Sequence, residues 1–309
     1  MGNRTALFSR KQPGGVFTID DFVQHPGDIW FVDSGSGTDG AGYGQNPDAP
    51  FASIDYAIGK CTANQGDVIY VMPGHTETIT GTDITADVAG ISIIGIGKGS
   101  LMPQIKHNHA DAEISIAADN VTWQGIRHSA DVTDVKVAIE IENGIDYCTV
   151  KGCLFDVVTT ATDEFLVSVR TNDESNFALI EDNDFDMGLG GAVAAISFTK
   201  DTDGTVVKNN RIRGDYSTAC INGLTTASTK LLIEDNLLVN GDCGNIGTKP
   251  CIELVAASTG VIRDNDCLCN LATMIASIVA GNCMLYRNYY NEDITIGTGT
   301  IMGTASADG

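Results

Sequence analysis

The residues best suited to chemistry in this chain are carboxylates. The stretch EDNDFD, residues 181–186, brings Asp182, Asp184 and Asp186 together, and Asp235 and Asp264 take the place of Asp182 in the similar stretches IEDNLL and IRDNDC. Two carboxyl groups about 5 to 9 Å apart are what glycoside hydrolysis needs, one as acid and one as base or nucleophile. The same oxygens could hold Ca²⁺, although neither an EF-hand loop nor an RTX nonapeptide occurs. His75, in PGHTE, reads as a turn residue at a coil edge. A repetitive acidic chain provides such carboxylate spacings without any active site, so the aspartates read as a solvated ladder. No catalytic, cofactor-binding or metal-binding residue is assigned.

The elements that carry these residues repeat. WQGIRH from Trp123, VKGCLF from Val150, IEDNDF from Ile180, VKNNRI from Val207, IEDNLL from Ile233, IRDNDC from Ile262 and LYRNYY from Leu285 follow a weaker copy, IIGIGK, from Ile93. Their steps are 30, 27, 30, 27, 26, 29 and 23 residues, a period too short for helix pairs. A second apolar run recurs inside each unit, as in VAIEIE at 137–142, FLVSVR at 165–170 and CIELVA at 251–256. Several of these runs alternate apolar with polar residues, as half-buried strands do. Two or three short strands per unit, punctuated by Gly, Asn and Asp, describe one coil of a parallel β-solenoid. About eight such coils predict a rod on the order of 40 Å long.

Three columns agree on one register. Trp123, Val150, Ile180, Val207, Ile233, Ile262 and Leu285 form an inward apolar stack. Lys151, Glu181, Lys208, Glu234 and Arg263 alternate in sign, so each charge meets its opposite in the next coil. Asn183, Asn210, Asn236, Asn265 and Asn288 line up as a ladder whose amides bond from coil to coil. Ahead of the first coil, Ser53 is an N-cap and Ile54, Ala57, Ile58 and Cys61 share one helical face, which predicts a short capping helix over the open end. The strand DVIYVMPG then begins the wall, and the Gly-rich DSGSGTDGAGYG at 33–44 is an exposed loop.

PFASIDYAI followed by GDVIYVMPGHTETI resembles the N-terminal cap and first coil of right-handed parallel β-helix proteins of the pectin-lyase-like superfamily, and the resemblance spans residues 28–290. It implies an all-β, right-handed parallel β-helix with a short N-terminal capping helix. The superfamily holds polysaccharide lyases, glycoside hydrolases, phage tailspikes and other virion proteins, so fold alone does not assign an activity. The WiDH and RxPxxR patterns of pectate lyases are missing, as are the NTD, DD and GHG of polygalacturonases. The chain has little spare length between columns from which to build a cleft, which argues for a scaffold most like phage head-decoration or tailspike-type members.

The organisation expected is a docking arm at 1–27, cap and first coil at 28–80, β-helix at 81–290 and a C-terminal cap or tail at 291–309. The arm is locally basic, with Arg4, Arg10 and Lys11, on a chain of net charge −22 that disfavours nucleic acid and anionic membranes. No run reaches the length of a membrane span or of a signal-peptide core, and Ala6 stands where myristoylation wants Ser or Thr. The reading is a soluble protein made in a host cytoplasm and placed in a virion. The nine cysteines lack CxxC spacing and behave as small hydrophobes, which disfavours zinc. The partners expected are two further copies of itself in a homotrimer and a capsid or other virion protein held by residues 1–27. The alternatives are a polysaccharide-degrading enzyme using Asp182, Asp184 and Asp235, and a glycan-binding adhesin presenting Tyr286, Tyr289 and Tyr290 to surface glycans.

Overall fold

The computed structural model describes residues 11–12, 15–16, 27–157, 163–188, 191–241, 249–269 and 277–290. Their strands form three parallel sheets of ten, nine and eight strands. The first runs from Ile29–Val32 to Met284–Tyr286, the second from Thr76–Ile79 to Tyr289–Tyr290, and the third from Ile84–Ala86 to Ile278–Val279. Each coil gives one strand to each sheet in turn, and the chain climbs as a right-handed solenoid, the hand that a twisted parallel crossover takes.

The predicted columns are in register. Ile93 pairs with Trp123, then Val150, Ile180, Val207, Ile233, Ile262 and Leu285. Every member from Ile93 to Ile262 is fully buried, and each such side chain contributes about 2 kcal/mol of burial. The second sheet stacks Ile105, His128, Phe155 and Phe185 inward, the last two with parallel rings 4.7 Å apart. The third stacks Ile114, Ile139, Val169 and Ile196. Parallel strands buried on the inside of a closed coil explain the dominance of Ile and Val there.

From Thr122–Gln124 onward, each coil turns from the first sheet to the second through one residue of positive φ. Gly125, Gly152, Asp182, Asn209, Asp235, Asp264 and Arg287 hold this place, with φ from 49° to 72°. The next residue carries the asparagine ladder. The Nδ2 of Asn183 donates to Oδ1 of Asn210 at 3.0 Å, and the pattern repeats to Asn236, Asn265 and Asn288. Each Oδ1 also accepts the backbone N–H of the preceding ladder asparagine, so the buried turn keeps its donors satisfied.

The N-terminal region departs from expectation in three ways. The wall begins one strand earlier than DVIYVMPG, because Ile29–Val32 pairs in parallel with Val68–Val71. Ser53 sits at the N-cap position of the helix Ile54–Ile58, yet its hydroxyl donates to Asp39 at 2.7 Å and does not cap. The Ile54 N–H is taken instead by Glu77 Oε2 at 3.2 Å. Cys61 lies beyond the helix, which closes at Gly59, while Ile54, Ala57 and Ile58 are buried as predicted. The helix packs on Ile29–Val32, Val68–Val71 and Ile84–Ala86, the first strands of the first and third sheets.

Within the predicted arm, Lys11–Gln12 and Gly15–Val16 pair as short antiparallel strands; the rest of residues 1–26, and all of 291–309, lie outside the described residues. Among the described residues no helix is long and apolar enough to cross a membrane. Burial pushes the Cys153 thiol up to about 12 and Cys148 to about 11, which leaves both as inert hydrophobes.

Candidate functional site

The aspartates singled out by sequence serve the coil. Asp182, Asp235 and Asp264 occupy the positive-φ turn position, which Asp tolerates because its short side chain bonds locally. Asp182 lies 3.5 Å from Lys151 Nζ, and Asp264 lies 2.8 Å from Arg287 Nε. Asp184 faces Arg211 at 3.2 Å, and Asp186 faces Arg213 at 2.5 Å. Asp235 is exposed and two coils from Asp182, with Asn209 at that position between them. Asp182 and Asp184 therefore share one coil, and Asp235 stands two coils further along the same wall.

The charge column pairs in two groups, Lys151–Glu181–Lys208 and Glu234–Arg263. Glu181 stands between Lys151 at 2.5 Å and Lys208 at 3.0 Å, and Glu234 meets Arg263 at 2.6 Å. Burial alone would raise the Glu181 carboxyl, but hydrogen bonds from the two lysines outweigh it and hold the group below its ordinary range.

His75 directly follows the turn at residues 73–74, at the edge of the coil as expected, with its side chain turned inward. It is buried; its Nδ1 accepts the Ser34 N–H at 3.0 Å, and its Nε2 faces Glu77 Oε2 at 3.2 Å. With the acceptor on Nδ1, the ring proton sits on Nε2 and points at the carboxylate. This contact ties the Gly-rich loop to the first coil, and that loop is otherwise largely exposed, as predicted.

Two carboxyl clusters on the third-sheet side were not anticipated. One is Glu113 with Glu140. Glu140 is buried, receives Arg170 Nε at 3.0 Å and Nη2 at 2.5 Å, and also accepts from Asn172 Nδ2. Burial pushes the Glu113 carboxyl up; the neighbouring charge and hydrogen bond of Glu140 push the same way, while Thr82 and Arg170 oppose. The geometry sets the Glu113 carboxyl, which burial pushes toward its neutral form, against a second carboxyl that Arg170 holds. The other cluster is Glu164, raised to about 7 by burial and by Asp134 and Asp163. The second apolar runs carry Glu140 but not Glu113, which precedes its strand. The third-sheet register places Ser115, Glu140, Arg170, Ser197, Asn222 and Glu253 in one column.

No family model matches the chain, and no curated protein matches it. Among solved structures it is similar to a rhamnogalacturonan lyase, at 11% identity and a TM-score of 0.41 over 85% of this chain and 87% of that one. It is also similar to a tailspike protein of E. coli bacteriophage HK620 in complex with pentasaccharide, at 11% identity and a TM-score of 0.45, where 85% of this chain spans 54% of the tailspike chain. A pectate lyase matches at 12% identity and a TM-score of 0.39, over 84% of this chain and 79% of its own. These likenesses concern the three-sheet β-helical architecture, which the coil register here defines independently.

Proposed function

We propose that this chain is a structural protein without catalysis: a stiff β-helical rod that a phage-like particle carries as a head decoration or short spike, anchored through residues 1–27 and assembled as a homotrimer. One observation supports the non-catalytic part. The outward carboxylates of the EDNDFD stretch are engaged coil by coil, Asp182 by Lys151, Asp184 by Arg211 and Asp186 by Arg213. Each pair is worth at most about 1 kcal/mol at an exposed site, but the set links successive coils and occupies the groups that hydrolysis would need free. The particle and the trimer are what the resemblance to virion β-helices implies. The basic character of Arg4, Arg10 and Lys11 on a chain of net charge −22 suits an arm that docks on an acidic partner.

A second reading, a polysaccharide-cleaving enzyme, has one observation in its favour: the contact of the Glu113 and Glu140 carboxyls beside Arg170. The two separate in an assay of reducing-end release and of unsaturated product, run on acidic and neutral polysaccharides from mildly acidic to neutral pH. The structural reading predicts no product above buffer. Product that disappears in Glu113→Gln or Glu140→Gln would replace it with the enzyme.

A further inference from the structure

The turn between the third and first sheets carries a second ladder. The Asp146 N–H donates to Asp119 Oδ1 at 2.9 Å, Asn176 N–H to Asp146 Oδ1 at 3.0 Å, and Asp203 N–H to Asn176 Oδ1 at 2.8 Å. The residue after each ladder member has positive φ: Asn120 at 57°, Tyr147 at 60°, Phe177 at 54°, Gly204 at 67° and, in the next coil, Lys230 at 53°. Asn and Gly suit that backbone. A bulky aromatic there costs about 1–2 kcal/mol, and the fold recovers little of it by burial, because Tyr147 is 55% and Phe177 40% exposed.

The two rings are held in place. They stack 4.8 Å apart with planes 10° from parallel, at the pitch of the coils. Phe177 also lies against the Gly204 backbone, where a Cβ would come within 2.6 Å of its ring. Tyr147 is the outer member of the stack, since the same position one coil earlier is the small, exposed Asn120. Asp119 and Asp146 each keep a second carboxylate oxygen outside the ladder, and Glu174 is exposed at the turn before Phe177.

We propose that the Tyr147–Phe177 stack is a binding platform for a neutral saccharide. A pyranose ring offers a flat C–H face for an aromatic ring and a rim of hydroxyls that donate to carboxylates, which is the pairing found here. The charge selects against other flat ligands. The lysines of these turns, Lys200 and Lys230, are tied to Asp173 at 2.7 Å and to Asp203 at 2.8 Å, so nucleobases on a phosphate chain and acidic glycans meet an excess of carboxylates. The site does not rest on the reading above, because a rod with or without catalysis, anchored or free, carries it equally.

The test compares the full chain with Tyr147→Gly and the Tyr147→Gly/Phe177→Gly double variant, substitutions that the positive-φ backbone accepts. Binding is measured by retardation in native gels containing dextran, galactomannan or hydroxyethylcellulose, and by calorimetry with maltohexaose, mannohexaose, cellohexaose and chitohexaose. The expected result is binding to at least one neutral glycan, none to polygalacturonate or heparin, and at least a tenfold loss in Tyr147→Gly with the melting midpoint unchanged. Absence of binding across the neutral panel would overturn the proposal, as would unchanged binding in the double variant. A large fall in the melting midpoint of Tyr147→Gly would also overturn it, since the rings would then be holding the coils together.

Discussion

Replacing Asn236 by Ala lowers the thermal midpoint of the rod on the order of 5 to 10 °C, while replacing its neighbour Asp235 by Gly leaves the midpoint nearly unchanged. Asn236 is buried, and its Oδ1 accepts both the backbone N–H of Asn210 at 2.9 Å and the Asn210 amide at 3.0 Å. Its own Nδ2 donates to the Val207 carbonyl at 3.0 Å and to Asn265 at 2.9 Å. Alanine removes all four bonds and leaves the Asn210 N–H with no acceptor inside a closed turn. Orphaning a buried donor and losing the ladder bonds cost about 2–4 kcal/mol together. Asp235 has a φ of 55° and an exposed side chain, so glycine fits its backbone. Hydrogen exchange gives a local readout, because the Asn210 amide should lose protection first in the Asn236→Ala protein.

Acid weakens the rod through two histidines that the core holds neutral. Trp123 Nε1 donates to His128 Nε2 at 2.9 Å, which leaves the His128 proton on Nδ1, 3.4 Å from His107 Nε2; His107 Nδ1 in turn faces the Ala112 carbonyl at 2.9 Å. Burial lowers His107 from 6.5 to about 4, against the opposing Ala112 bond, and burial together with His107 lowers His128 well below its ordinary value. A base whose folded pKa is depressed stabilises the fold fully above its unfolded value. That contribution is lost as pH falls from 6.5 toward 4, because the unfolded chain then binds the extra protons. For His107 alone the loss approaches about 3 kcal/mol. Glu164, raised to about 7, acts in the opposite sense, favouring the fold as pH falls through that range. The measurement is therefore the difference in midpoint between the wild type and a His107→Gln/His128→Phe variant across this pH range, in which Glu164 and the surface groups cancel. The phenyl ring that replaces the His128 imidazole would extend the Phe155–Phe185 stack. The wild type should lose stability relative to the variant on acidification; parallel curves would contradict the account.

The first-sheet columns were legible because each coil places one residue at each position and the chain repeats them at nearly constant steps, so Ile233, Glu234 and Asn236 could be registered by eye against Ile180, Glu181 and Asn183. The opening strand was not, because Ile29–Val32 meets Val68–Val71 across a long loop whose anchors, Asp39 and His75, act on Ser53 and Ser34 far away in sequence. The second ladder was hidden by its chemistry: Asp119, Asp146, Asn176 and Asp203 share only a side-chain oxygen, and the position after them runs through Asn, Tyr, Phe, Gly and Lys. The Glu113–Glu140 contact was illegible for a different reason. Glu113 precedes its strand and reaches Glu140 only through the stacking of coils, which the spacing of like residues does not reveal. The aspartates that were legible proved to be turn and ion-pair residues, because a residue type repeated at one position reports the coil's needs before it reports chemistry.

A rod anchored on a particle through its first residues, as proposed above, places Lys11 against another polypeptide. The most direct test is cross-linking mass spectrometry on the intact native particle with an amine-reactive reagent, reading the partners of Lys11 and of the N-terminal amine. Cross-links from Lys11 to a different, shell-forming polypeptide are the expected result. Cross-links confined to the chain's own rod, on particles in which other proteins do cross-link to one another, would contradict it.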